Sequence, residues 1–407
     1  MISLTVPTIE AIRSRFPSLE KGEVFMDNAG GSQVPESVAD AIRDYMLTSY
    51  VQVGADYPAS QRATATVDQA HDVVQEIMGG EGVGRTFFGS SSSTLCRMLA
   101  DCYAEVLQPG DEIIVGESGH EANVGPWINL LKRGVSVKLW PANPETGVCE
   151  LGNLREMLSE KTKVVAFVQV SNILGHVEDF QACIDAAHSV GARVVMDGVA
   201  YAPHLSIDVA AWGVDWYVFS CYKVFGPHMG ALYGKNDAIA ELTGPNHYFL
   251  AKEYLPGKFE LGNANHESCA AILGLVPYLN WLAGTESYGR ETVLKTWEVM
   301  EYLERPLTTQ LLDYLRGKSS VRIIGRTYAG PGRVPTISFL HDRRSPQEIA
   351  EAAIPHGIGI RWGNFYSVRL LERMGIDPDS GVARVSLAHY NTCEEVDRLI
   401  AALDPIL

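Results

Sequence analysis

The sequence predicts an α/β protein: a large domain on a mainly parallel seven-stranded sheet, then a smaller α/β C-terminal domain. Three observations lead there. The chain has 407 residues, more than one minimal domain needs and suited to a large domain plus a small one. Short apolar runs alternate with helical patterns from about residue 85 to 235. A helical stretch rich in Leu, Trp and Glu then leads into a second, shorter set of strands and a terminal helix.

The strand candidates, in order, are Arg85–Phe88, Glu112–Val115, Val135–Trp140, Val164–Val170, Arg193–Met196, Trp216–Phe219 and Gly230–Tyr233. Helices fit between most of them, as at Ser92–Val106 and Phe180–Val190. The last two runs lie close together and suit a turn or hairpin. The helical stretch covers about Ala271–Tyr314. Strand candidates Arg322–Ile324 and Thr336–Leu340 and a helix near Glu394–Leu403 follow. This places the large domain at residues 16–285 and the small one at 286–407, with the N-terminal segment 1–15 joining the latter. In such sheets ligands bind beyond the C-terminal ends of the strands. The residues directly after each strand are therefore the ones to inspect.

Composition narrows the function classes. Hydrophobic residues make up 46% and charged residues 20%, the balance of a globular enzyme. A formal charge of -16 argues against nucleic acid or an anionic membrane as partner. The seven cysteines are odd in number and form no Cys-x-x-Cys pair, so neither a disulfide framework nor a structural metal site is expected. Met1–Phe16 has no signal-type apolar run and no stretch is long enough to span a bilayer. A cytoplasmic enzyme with reduced thiols is the expectation.

The strand Arg193–Met196 ends in Asp197, and the strand Trp216–Phe219 leads through Ser220 to Lys223. Either charge alone reads as a loop ion pair. Together, at two neighbouring strand ends, they suit pyridoxal 5′-phosphate. A lysine amine condenses with its aldehyde, and a carboxylate keeps its ring nitrogen protonated so that the ring accepts electrons. Phe87-Phe88-Gly89-Ser90-Ser91-Ser92-Ser93-Thr94 passes from strand to helix, and its hydroxyls and N–H groups suit a phosphate. They also suit an ordinary N-cap. His120, after Glu112–Val115, is placed to stack on a ring, or is a polar loop histidine. Asn172, after Val164–Val170, is placed to meet a cofactor or substrate, or serves a turn.

The order of these motifs resembles class V aminotransferase-fold enzymes. The set is Gly-Ser turn, His120-x-Ala122-Asn123, Val170-Ser171-Asn172-x-Leu174-Gly175, Val195-Met196-Asp197-Gly198 and Phe219-Ser220-x-x-Lys223-x-x-Gly226-Pro227. The likeness runs from Phe25-Met26-Asp27-Asn28-Ala29-Gly30 to Ala383-Arg384-Val385-Ser386-Leu387-Ala388-His389-Tyr390-Asn391 and is closest to the cysteine desulfurase-like branch. It implies the PLP-dependent transferase fold type I and pyridoxal 5′-phosphate as cofactor. It also implies roles. Lys223 carries the cofactor and acts as acid and base, Asp197 pairs with the ring nitrogen, and His120 stacks on the ring. Asn172 lies beside ring and substrate, while Ser92, Ser93 and Ser220 reach the phosphate. Arg384 receives the substrate carboxylate. Asn263, in Phe259–His266, matches a segment that touches the phosphate of the other subunit, which implies a homodimer with shared active sites.

The departures from that branch bear on activity. Where the branch carries its persulfide-forming cysteine, after Arg361-Trp362-Gly363-Asn364-Phe365, this chain has Tyr366. Ala200, Tyr222 and Asn263 replace the branch's usual Gln, His and Thr. A tyrosine cannot take up sulfur, so the expectation is an enzyme acting on an amino acid or a cysteine S-conjugate in small-molecule biosynthesis. C–S cleavage by β-elimination is the favoured version, as in the similar S-conjugate lyases of ergothioneine and lincosamide pathways. Decarboxylation with deamination, cyclisation, epimerisation and transamination are the alternatives. Retention of Lys223, Asp197 and Arg384 speaks against a non-catalytic binding role. Trp362, Asn364, Tyr366, Tyr57 and His228 are candidates to line the substrate pocket, Trp362 and Tyr366 foremost.

Overall fold

The structure, a computed structural model, describes residues 5–251 and 253–407. Of the N-terminal segment expected to join the smaller domain, residues 1–4 lie outside the described residues.

The N-terminal strand is β1 (Val24–Phe25), and the main sheet is built from β2 (Gly84–Gly89), β3 (Glu112–Gly116), β4 (Ser136–Trp140), β5 (Thr162–Val168), β6 (Arg193–Asp197), β7 (Trp216–Ser220) and β8 (Gly230–Lys235). These seven strands form one sheet in the order β2-β8-β7-β6-β5-β3-β4. Strands β3 to β7 run parallel, and β8 is antiparallel to both its neighbours. The close pair at 216–235 is thus an antiparallel hairpin-like unit. Its wide connection holds Lys223.

Segments such as Val164-Val165-Ala166-Phe167-Val168 are buried throughout rather than on alternate residues. Helices cover both faces, so every position of a central parallel strand meets apolar neighbours. Both the helix Ser92–Val106 and the helix Phe180–His188 start where the sequence predicts them, the second ending two residues early. Chain order reverses between β3 and β5. The loops after these strands carry His120 and Asn172, so both flank a topological switch point.

A four-stranded antiparallel sheet, β12-β13-β10-β9, follows from β9 (Val321–Ile324), β10 (Thr336–His341), β12 (Arg361–Gly363) and β13 (Val382–Ser386). A fifth short strand, β11 (Ile358–Gly359), pairs in parallel with β1. The N-terminal chain is thereby stitched to the C-terminal sheet, and Arg13 adds an ion pair to Glu395 at 2.9 Å. Ile12 and Phe16 instead enter the core beneath the main sheet.

The expected helical stretch Ala271–Tyr314 is two helices, His266–Ala283 and Arg290–Arg316. Gly284, at φ 65, ends the first in the left-handed conformation that glycine adopts most cheaply. The second helix spans two cores. Trp297 and Met300 pack beneath the main sheet, and Leu311 and Leu315 pack under the C-terminal one. Two N-terminal helices, Glu36–Thr48 and Pro58–Met78, had no counterpart in the sequence reading and pack on His266–Ala283. Among the described residues no helix is long and apolar enough to cross a membrane.

Candidate active site

The C-terminal ends of the parallel strands converge on one cleft. It is lined by Ser92, Ser93, His120, Asn172, Asp197, Ser220 and Lys223, together with Ala200 and Tyr222. Asp197 is the last residue of β6, and Lys223 ends a single 3-10 turn after β7. The parallel β6–β7 pairing sets these two strand ends side by side. Phe225, at φ 59, turns the chain back after Lys223. Ser32 props this turn. It donates to the Tyr222 carbonyl at 3.1 Å and accepts the Phe225 N–H at 2.9 Å.

Burial pushes the Asp197 carboxyl up to about 6, against the pull of the Val199 N–H and of Lys223. Burial likewise brings the Lys223 amine down to about 8, with help from Arg384 and against Asp197 and Asp27. The site therefore holds a carboxylate that gains from a protonated partner and an amine close to neutrality.

The glycine-serine turn closes tightly on the strand beside it. A Cβ at Gly230 would sit 2.5 Å from the Ser92 nitrogen, so only glycine lets β8 approach the start of the helix. Ser91 caps that helix by accepting the Thr94 N–H at 3.1 Å. Ser92 Oγ lies 2.8 Å from Ser220 Oγ, so the two hydroxyls converge at the helix N-terminus. Hydroxyls and free N–H groups at a positive helix end fit a phosphate. A buried carboxylate at the other end of the cleft fits a ring N–H. The residues present thus suit pyridoxal 5′-phosphate.

His120 Nδ1 accepts the Ala122 N–H at 3.0 Å, which leaves the ring proton on Nε2. Burial, then Lys223 and Arg384, lower this histidine to about 4, so it presents a neutral ring. Asn172 is fixed by the small domain. Its Nδ2 donates to the Phe365 carbonyl at 2.9 Å, and its Oδ1 accepts from Ser367 Oγ at 2.8 Å.

Arg384 stands in the middle of β13, buried, with burial lowering its pKa. Its Nη2 donates to Asp27 Oδ1 at 2.9 Å and its Nη1 to the Asn172 carbonyl at 3.3 Å. The Phe365 ring covers the guanidinium at 3.6 Å. The Tyr366 ring is 5.2 Å from the His120 ring, tilted by 36°, and is 70% exposed. Phe365 and Tyr366 both have positive φ, 49 and 60, so this loop holds two successive non-glycine residues in the left-handed region.

The remaining candidates lie outside the cleft lining. Trp362 is on edge strand β12, and Asn364 donates to the Pro378 carbonyl at 3.1 Å. His228 stacks on Tyr222 at 4.8 Å, and Tyr57 is an exposed residue preceding the helix Pro58–Met78. Asn263, at φ 70, opens onto a separate groove of about 840 Å³ with Ser90 and Thr94, behind the phosphate turn. Sequence reasoning missed Asp27, Phe365 and Ser367 as neighbours of Arg384 and Asn172, and Ser32 beneath Lys223. It also missed Glu117 and Glu121, which bind Arg373 and Arg369 on the small domain.

The sheet, Asp197 and Lys223 at neighbouring strand ends and the hydroxyl-lined helix end define a pyridoxal-phosphate enzyme of fold type I. The chain matches the family model described as aminotransferase class-V over residues 24–399 and belongs to that family. It is 40% identical to the aminotransferase-like protein FGM3 of Gibberella zeae, over 98% of either chain. It is 31% identical to the cysteine desulfurase-like protein ustD of Aspergillus flavus, over 98% of this chain and 90% of that one. The crystal structure of the cysteine desulfurase CsdA from Escherichia coli superposes with a TM-score of 0.83 at 26% identity, covering 98% of each chain.

Proposed function

We propose that the chain is a lyase that cleaves the C–S bond of a cysteine S-conjugate by β-elimination and forms no protein-bound persulfide. The observation that carries this reading is the residue at the loop over His120. Tyr366 stands where the resembling desulfurases carry their sulfur acceptor, and six of the seven cysteines are buried while the exposed one, Cys393, lies on the terminal helix. Sulfur leaving the substrate then departs as a thiol on its own substituent.

Pyridoxal 5′-phosphate, when bound, supplies an electron sink for charge developing at Cα. Lys223 would hold it covalently between turnovers and be a free amine once substrate is bound, Asp197 would hold the ring-nitrogen proton, and Ser92, Ser93, Ser220 and the helix N–H groups would hold its phosphate. The neutral His120 ring provides the stacking face. Arg384 binds the substrate carboxylate and keeps it away from Lys223. Lys223, an amine brought down to about 8, takes the Cα proton as general base. The Cβ–S electrons leave with sulfur, and water converts the remaining three-carbon fragment to pyruvate and ammonia.

The test is incubation of the cofactor-loaded enzyme with cysteine S-conjugates in deuterated water. Pyruvate, ammonia and thiol are expected in equal amounts, with loss of labelled Cα–H to solvent. Carbon dioxide released without Cα–H exchange would replace elimination by decarboxylation.

A further inference from the structure

We propose that Asp27 is a built-in stand-in for the substrate carboxylate on Arg384, displaced onto Arg361 when an amino acid binds. This rests on the reading of Arg384 as the carboxylate receiver and adds what that residue does before substrate arrives.

A guanidinium as buried as Arg384 is costly without a counter-charge. The structure satisfies it from the N-terminal segment, 357 residues away, through the 2.9 Å bond to Asp27 Oδ1. The other approaches to the fork are largely closed. Phe365 covers one face at 3.6 Å, and the Asn172 carbonyl takes Nη1 at 3.3 Å. Nε is buried with no hydrogen-bond partner among the described residues. A substrate carboxylate seeking the open side of Arg384 therefore meets another carboxylate already there.

Two like charges on one fork repel, so Asp27 must yield. It has a place to go. Its second oxygen, Oδ2, lies 3.8 Å from Arg361 Nε, and the Arg361 side chain is 66% exposed. Arg361 and Arg384 are direct partners in the antiparallel β12–β13 register, so their side chains share one face of the sheet. Asp27 sits between them with its side chain 24% exposed, whereas that of Arg384 is 3% exposed and fixed. The backbone of the Asp27 turn need not move. The Gly30 N–H bonds the Asp27 carbonyl at 2.9 Å, and the Ala29 N–H bonds Ser386 Oγ at 2.8 Å.

The exchange conserves ion pairs. Before it, Asp27 is paired with Arg384 at 2.9 Å and with Arg361 at 3.8 Å; after it, Arg384 is paired with the substrate and Asp27 with Arg361 alone. An amine without a carboxylate does not drive it. Asp27 thereby sets the affinity for the α-carboxylate and holds Arg384 in place between turnovers.

Glycine and methylamine differ by one carboxylate, and the visible absorbance of the cofactor-loaded enzyme reports the binding of either. The preference for glycine over methylamine is the quantity to measure. Asp27→Asn keeps an acceptor oxygen and removes the charge; it is expected to tighten glycine binding roughly tenfold and leave methylamine unchanged. Arg361→Gln, at an exposed position, is expected to weaken glycine several-fold and leave methylamine unchanged. Arg384→Ala separates this proposal from the reading beneath it. If it abolishes the glycine preference while Asp27→Asn and Arg361→Gln leave glycine affinity as in the wild type, Asp27 is only a structural counter-ion and the proposal falls. If Arg384→Ala leaves the preference intact, the carboxylate is received elsewhere and the reading falls first. Should Asp27→Asn fail to fold, Arg361→Gln alone decides, and unchanged glycine affinity overturns the exchange.

Discussion

Arg373 grips both oxygens of Glu117, Nε to Oε2 at 2.8 Å and Nη2 to Oε1 at 2.9 Å. Four residues away on either segment, Arg369 Nε meets Glu121 Oε2 at 3.1 Å. The two glutamates bracket His120, and the two arginines lie on the helix Val368–Arg373 just after Tyr366. The Glu121 N–H also bonds the Tyr366 carbonyl at 2.8 Å. The two ion pairs therefore staple the wall of the small domain to the loop that presents the histidine ring.

Burial ranks the two staples. The Glu117 side chain is 7% exposed, whereas Glu121 and Arg369 are 42% and 35% exposed. Arg373→Met leaves a buried carboxylate whose remaining hydrogen bond among the described residues is from the Ala142 N–H at 3.2 Å. It is expected to cost between the ~0.5 kcal/mol of surface pairs and the ~3 kcal/mol of buried ones. Arg369→Met is expected to cost less than about 0.5 kcal/mol. Denaturant melts of both variants check the ranking, and equal losses would remove the burial argument. Michaelis kinetics should show a higher KM for Arg373→Met, because the loop over His120 is less well held.

Lys223 is the expected point of cofactor attachment. The purified protein should be yellow, and borohydride reduction followed by peptide mapping should find the cofactor on Lys223. Lys223→Ala should bind the cofactor without a covalent bond and lose turnover. Mapping to any other lysine would refute the assignment of the cleft.

What the sequence discloses and what it hides follow from range and length. Strands β2 to β8 are five to seven residues long and mostly apolar, so their positions are legible to within about two residues. The residues after them are legible by the strand-end rule, which is how His120, Asn172, Asp197 and Lys223 are found. Strand β13 is hidden because Arg384 and Ser386 interrupt its apolar run, although all five of its residues are buried. Strands β1, β11 and β12 have two or three residues, too few for any periodicity. Asp27 is visible as a motif residue but not as the partner of Arg384, because that pairing exists only after the chain closes on itself. The break at Gly284 did carry a local signal, a glycine past the end of an apolar pattern.

Cysteine chemistry gives a separate prediction. Cys393 is the exposed thiol, and it lines a surface groove with Glu298 and Tyr302 rather than the Lys223 cleft. Cys393→Ser should retain full activity, and mass spectrometry after incubation with L-cysteine should find no turnover-dependent persulfide on any residue. A catalytic persulfide on any of the seven would restore the desulfurase reading.

Asp197 links stability to function with opposite signs. Its carboxyl is held at about 6, against an ordinary 3.8, chiefly by burial. Between these values the folded chain without cofactor keeps a proton that the unfolded chain has lost. That contribution is complete below about pH 4, fades as pH rises, and is absent above about pH 6. At neutral pH the fold therefore carries a buried carboxylate that the Val199 N–H and Lys223 only partly compensate. Asn has the same shape and no charge. Cofactor-free Asp197→Asn should thus be more stable than the cofactor-free wild type at pH 7.5, by roughly 1–3 kcal/mol, with the gap closing toward pH 4. Turnover should move the other way, falling by about a hundredfold or more, because an amide cannot hold the ring-nitrogen proton. Denaturant melts across pH 4–8 and steady-state rates measure both arms. An Asn variant that is less stable at pH 7.5 would mean that the partners of Asp197 outweigh its burial. The carboxylate would then be a structural asset rather than a cost that cofactor binding offsets.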